Sequence, residues 1–133
     1  MHRKGALYLI LILLSFLNTN EAQDAKAIYV QQFGMEEGLA HRDVKTIFKD
    51  KDGFLWIGTP SSLQRYDGYE FKSYPLQSSK GSFQNINGIG QLEDGWLWVI
   101  ALNFEKERRN LFFLHPLTGE LLSKEEKLSL INI

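Results

Sequence analysis

The sequence predicts an all-β protein built from four-stranded antiparallel meander sheets, about two of them, related by a repeat. Three observations carry this. The stretch Asp50-Lys51-Asp52-Gly53-Phe54-Leu55-Trp56-Ile57-Gly58-Thr59 joins a tight turn to a short aromatic strand, and a looser copy follows at Glu93-Asp94-Gly95-Trp96-Leu97-Trp98-Val99. Gly53 to Gly95 and Trp56 to Trp98 are both 42 residues apart. Aromatic residues form 13% of the chain and fall mainly in runs after those two glycines, as rings on a pleated surface do. A repeat of that period points to the blades of a β-propeller or a similar radial array.

The chain in order justifies each element. His2-Arg3-Lys4, the apolar run Ala6 to Leu17 and the polar exit Asn18 to Ala22 have the layout of a signal peptide over residues 1–22. The apolar run of 12 residues is short for a membrane span, which needs about 20. Residues 23–43 hold a strand, Ala27 to Phe33, and a loop containing Gly38. Residues 44–74 make the first sheet. Val44 to Phe48 is its first strand, and Asp50 to Gly53 is the turn. Phe54 to Thr59 is a nearly continuous apolar strand, expected to be covered on both faces. Pro60-Ser61-Ser62 turns the chain into Leu63 to Tyr66. Asp67-Gly68 then marks a hairpin into the alternating outer strand Tyr69 to Tyr74.

Residues 75–85 are polar and read as a linking loop. Residues 86–127 are a degenerate second sheet: Ile86 to Leu92, the turn at Asp94-Gly95, Trp96 to Leu102, then Leu111 to Leu114. That last strand is offset by 48 residues from Leu63 to Tyr66, not 42, so the charged stretch Asn103 to Asn110 is expected as a protruding loop. Leu121 to Lys127 supplies an outer strand, and residues 128–133 open a third unit.

Composition bounds the function. The net charge of -1 gives no basic surplus for nucleic acid, and the absence of cysteine removes disulfides, thiolate metal sites and cysteine nucleophiles. No cofactor is expected. Asp50-Lys51-Asp52-Gly53 begins like a calcium loop, but Phe54, Leu55 and Ser61 stand where ligands and a glycine belong, so turn residues are expected and no metal. Glu36-Glu37 and Glu125-Glu126 are adjacent pairs that point apart if extended, unlike paired catalytic acids. His41 and His115 are isolated, and no catalytic residue is assigned. Phe104, Arg108 and Arg109 are candidate ligand-binding residues beside Phe112, because arginine pairs with carboxylates and aromatic rings stack on sugars. A solvated loop is the competing reading.

Glu37-Gly38-Leu39, Val44 to Asp50, Asp52 to Thr59, Leu63, Arg65 to Gly68 and Phe71 resemble the start of a two-component regulator propeller, the periplasmic sensor region of hybrid histidine kinases of Bacteroidetes. The resemblance implies structural roles for Asp50, Asp52, Gly53, Trp56, Gly58, Thr59, Tyr66, Asp67, Gly68, Asp94, Gly95 and Trp98. It also implies a seven-bladed ring, in which Ala27 to Phe33 would be the closing strand. Two blades cannot close a ring. The chain is therefore expected to be an N-terminal fragment of a longer, exported, membrane-tethered sensor, non-enzymatic in this segment. Its partners would be further blades, kinase modules and an oligosaccharide ligand. A propeller lyase or hydrolase, or a secreted binding module without a signalling role, is the alternative.

Overall fold

Nine strands and one helix make up the regular structure of the described residues. The computed structural model describes residues 27–78, 81–103 and 108–131. Met1–Gln31 form one unit and Gln32–Ile133 another. The expected leader lies outside the described residues. Residues 27–31 are exposed and carry no regular structure, so the strand expected from Ala27 to Phe33 is not formed. An isolated strand has no ladder to satisfy its backbone, and Phe33 packs on the first sheet instead.

That sheet contains β1 (Thr46–Lys49), β2 (Leu55–Gly58), β3 (Leu63–Tyr66) and β4 (Phe71–Tyr74), paired antiparallel in chain order. Each connection is closed by a short polar residue. The Asp67 carboxylate accepts from the Tyr69 and Glu70 amides, which stretches the expected two-residue hairpin into a connection over 67–70. Thr59 Oγ1 accepts from the Ser61 and Ser62 amides and donates to the Ser62 carbonyl.

The second sheet has five strands: β5 (Leu76–Ser78), β6 (Gly81–Gln91), β7 (Leu97–Asn103), β8 (Arg108–Leu114) and β9 (Leu121–Ser123). The stretch expected as a linking loop over 75–85 is largely a hairpin. Leu76 and Phe83 pair across it, and both are buried, which outweighs the polar composition around them. The six inserted residues are absorbed as strand. The β7 and β8 strands have seven residues each, against four each in β2 and β3, which accounts for the six. The loop expected from Asn103 to Asn110 is thus strand at both ends, with Asn103 paired to Arg108.

Beyond Ser123 the expected outer strand turns into α1 (Lys124–Ile131). Ser123 and Glu126 form a capping box: the Ser123 amide donates to Glu126 Oε2 at 2.6 Å, and the Glu126 amide donates to Ser123 Oγ at 3.3 Å. The opening of a third unit expected over 128–133 is, as far as Ile131, the rest of this helix.

Repeat and core meet at one seam. Strand pairing sets Phe48 opposite Trp56 and Gly90 opposite Trp98, again 42 residues on. Trp56, Leu63 and Tyr74 of the first sheet share one buried cluster with Ile86, Leu97, Val99, Ala101, Phe112 and Leu114 of the second. At the seam the Ile86 and Asn85 amides donate to the Thr59 and Pro60 carbonyls. Gly58 allows this approach. A Cβ there would lie 2.8 Å from the Ile86 carbonyl oxygen and 2.5 Å from Thr46 Cγ2. Asn85 takes φ +52°, which asparagine tolerates, at irregular pairing between β6 and β7.

The opposite face of the first sheet is covered by the chain that precedes it. The Phe33 ring sits 4.9 Å from Tyr66 and 5.6 Å from Phe71. Buried Gln64 accepts from the Ala40 amide and donates to the Gly38 carbonyl and Ser73 Oγ. Ile47 stays 63% exposed, so this cover is partial.

Gly58→Ala is therefore expected to destabilise the protein by about 1–3 kcal/mol through overpacking at the seam, measured as a lower urea midpoint with an unchanged slope.

Candidate functional site

The repeated turn is built around one carboxylate. Asp50 is 5% exposed, and its Oδ1 accepts from the Asp52 and Phe54 amides, both at 3.0 Å. Its Oδ2 accepts from the Trp56 indole Nε1 at 2.7 Å. Three N–H groups thus surround the acid that opens the calcium-like sequence, while Asp52 is exposed. Gly53 closes the turn at φ +90°, with its amide on the Asp50 carbonyl. Trp56 is fully buried beside Tyr74, and Arg65 stacks 4.5 Å over the Phe54 ring and donates to the Pro116 carbonyl. Tyr66 donates its hydroxyl to the Gly68 carbonyl. The first copy works as scaffold.

The second copy keeps the glycine of the turn, Gly95 at φ +91° with its amide on the Leu92 carbonyl, and replaces the carboxylate. Leu92 stands 42 residues after Asp50, so no carboxylate is there to meet the Trp98 indole. The Trp98 ring lies across β6 instead. A Cβ on Gly90 would come within 2.4 Å of that ring, and one on Gly88 within 3.2 Å. Gln91 donates to the Gly95 carbonyl and accepts from the Lys51 amide. Lys51 Nζ donates to the Leu92 and Glu93 carbonyls, which lays the two turns side by side.

Asp94 accepts from the Trp96 amide and pairs with Lys127 of α1 at 2.9 Å. Lys127 Nζ also sits 4.1 Å over the Trp96 ring, whose other neighbour is His115 in an edge contact at 5.1 Å. The Lys127 ammonium holds the Asp94 carboxyl below the usual carboxylate range, aided by the Trp96 amide and opposed by burial. Sequence reasoning missed Lys127. Its signal was the Ser-x-x-Glu capping pattern at Ser123, which starts the helix that carries it.

Of the three candidate ligand-binding residues, Phe104 lies outside the described residues. Arg108 and Arg109 are adjacent on β8, both exposed. Arg109 lines a cavity of about 300 Å³ together with Phe83, Phe112, Ser123 and Lys124. Arg108 does not line it. The structure thus joins Arg109 to Phe112, as the sequence suggested, and adds Lys124. Among the described residues no cluster of acids and histidines could hold a metal ion.

Two outcomes follow from this geometry. Asp50→Ala is expected to cost about 2–3 kcal/mol by leaving the buried indole N–H unpaired, with a change in tryptophan emission. The Asp94–Lys127 pair has a depressed carboxyl, so its stabilisation is present above the ordinary carboxylate range and is lost as pH falls through the lowered value. Thermal melts recorded on the acid side are expected to show this loss in the native protein and to lack it in Lys127→Met.

Comparison with known proteins agrees with this architecture. The two component regulator propeller family matches residues 38–61, the turn and strand built on Asp50. A protein named histidine kinase P4 from Formosa agariphila is 39% identical over 64 residues, which is 47% of this chain and 5% of that relative. The chain thus spans about a twentieth of the relative it matches. No solved structure matches. With antiparallel four-stranded pairing and this match at residues 38–61, the first sheet is similar to a repeat of the two component regulator propeller family.

Proposed function

We propose that this chain is part of the sensing propeller of a two-component signalling protein, exported to the periplasm, and that it responds to glycan-derived ligands. The observation that carries the signalling reading is the family repeat at residues 38–61 together with the identity to a histidine kinase. In this reading the chain binds and does not turn over its ligand. Further blades and a kinase module are its partners, and the membrane is reached through the leader or a downstream span. Among the described residues no helix is long and apolar enough to cross a membrane. A ligand acts in such a sensor only through unequal affinity for two signalling states.

Calorimetry of the purified chain against neutral and acidic oligosaccharides tests the reading. Saturable binding with no product formed is the expected result. Turnover of any oligosaccharide would favour a propeller lyase or hydrolase, and absence of binding across the set would remove the glycan ligand.

A further inference from the structure

Strand β9 pairs with β8 only from Phe112 to Leu114. Arg109, Asn110 and Leu111 therefore have β7 on one side and the 300 Å³ cavity on the other. The floor is apolar: Phe83 and Phe112 meet there in an edge contact at 4.6 Å. The wall is the start of α1, through Ser123, Lys124 and Glu125. Two cations and one carboxylate line the space, a net single positive charge. Of the polar groups, Asn110 Nδ2 is engaged by the Arg108 carbonyl.

We propose that this cavity binds a small ring-shaped organic acid, with its carboxylate on Arg109 and Lys124 and its ring over Phe83, Phe112 and Leu111. Arginine offers a planar pair of donors to a carboxylate, and lysine adds a point charge. An apolar floor with few convergent polar groups is the usual form of a small-molecule site. An acidic sugar and an aromatic acid share this chemistry. Binding also bears on α1. Ser123 caps the helix whose first turn forms the cavity wall, and Lys127 on the next turn is held by Asp94 and Trp96. A ligand that draws Lys124 inward therefore shifts the environment of Trp96.

The proposal rests on reading the chain as a ligand sensor, and its test separates the two. The full chain is titrated by NMR with sodium glucuronate, sodium benzoate and neutral methyl glucoside, alongside Arg109→Gln and Lys124→Gln chains checked for unchanged circular dichroism. The expected result is binding of an acid, no binding of the glucoside, a shift of the Trp96 indole signal, and at least tenfold weaker binding in each variant. Glucuronate binding alone identifies the ligand as an acidic sugar, and benzoate binding alone as an aromatic acid. No binding of either acid, or unchanged affinity in Arg109→Gln, overturns the cavity assignment. Oligosaccharide binding that survives Arg109→Gln would leave the sensor reading in place with its site elsewhere.

Discussion

The hydrogen bond from the Trp56 indole to the Asp50 carboxylate is the constraint on which most of this structure depends. A tryptophan is large enough to fill the space between two sheets, but its N–H needs a partner once buried. Asp50 supplies that partner and, with its other oxygen, two bonds to the turn that carries β2. One residue thereby sets the turn, the start of the strand and the orientation of the ring that packs against the second sheet. The desolvation of the carboxylate is offset because three N–H groups point at it.

What the indole fills, Gly58 allows to close. The first sheet meets β6 through backbone bonds at Thr59 and Pro60, and a side chain at residue 58 would hold the strands apart. The second copy of the motif shows the same elements under different chemistry. With Leu92 in place of the acid, Trp98 rests on Gly88 and Gly90, and the ion pair of Asp94 with Lys127 ties the turn to α1. The repeat is thus one backbone plan met by two sets of side chains. The family match lies within the first copy, at residues 38–61, while the antiparallel pairing recurs in the second.

Much of the fold was legible because turn chemistry and alternation are local. Gly53, Gly68 and Gly95 all take positive φ where the turns were read, and β2, β3 and the core of β7 fall where aromatic and branched residues cluster. The misreadings share a physical cause. The hairpin of β5 and β6 has polar residues around Leu76 and Phe83, and only tertiary burial makes it strand. The charged run Lys124 to Lys127 looked like a weak outer strand because its local cap, Ser123 with Glu126, was passed over and its other partner, Asp94, lies 33 residues before Lys127, outside any short window. The stretch Ala27 to Phe33 is rich in strand-forming residues, yet such a stretch without a neighbouring strand does not make a sheet. At the candidate site, Arg109 and Phe112 were visible as a pair. Lys124 joined them only through the turn from β9 into α1.

The central claim is that Asp50 and Trp56 lock the two sheets into one cooperative core. Native-state hydrogen exchange tests it most directly, followed at the amides of Ile57 and Leu63 in the first sheet, Val99 and Phe112 in the second, and the Trp56 indole. The account predicts one shared free energy of opening for all five, equal to that of global unfolding. Exchange of Ile57, Leu63 and the indole through a separate opening of lower free energy, with Val99 and Phe112 still protected, would contradict it.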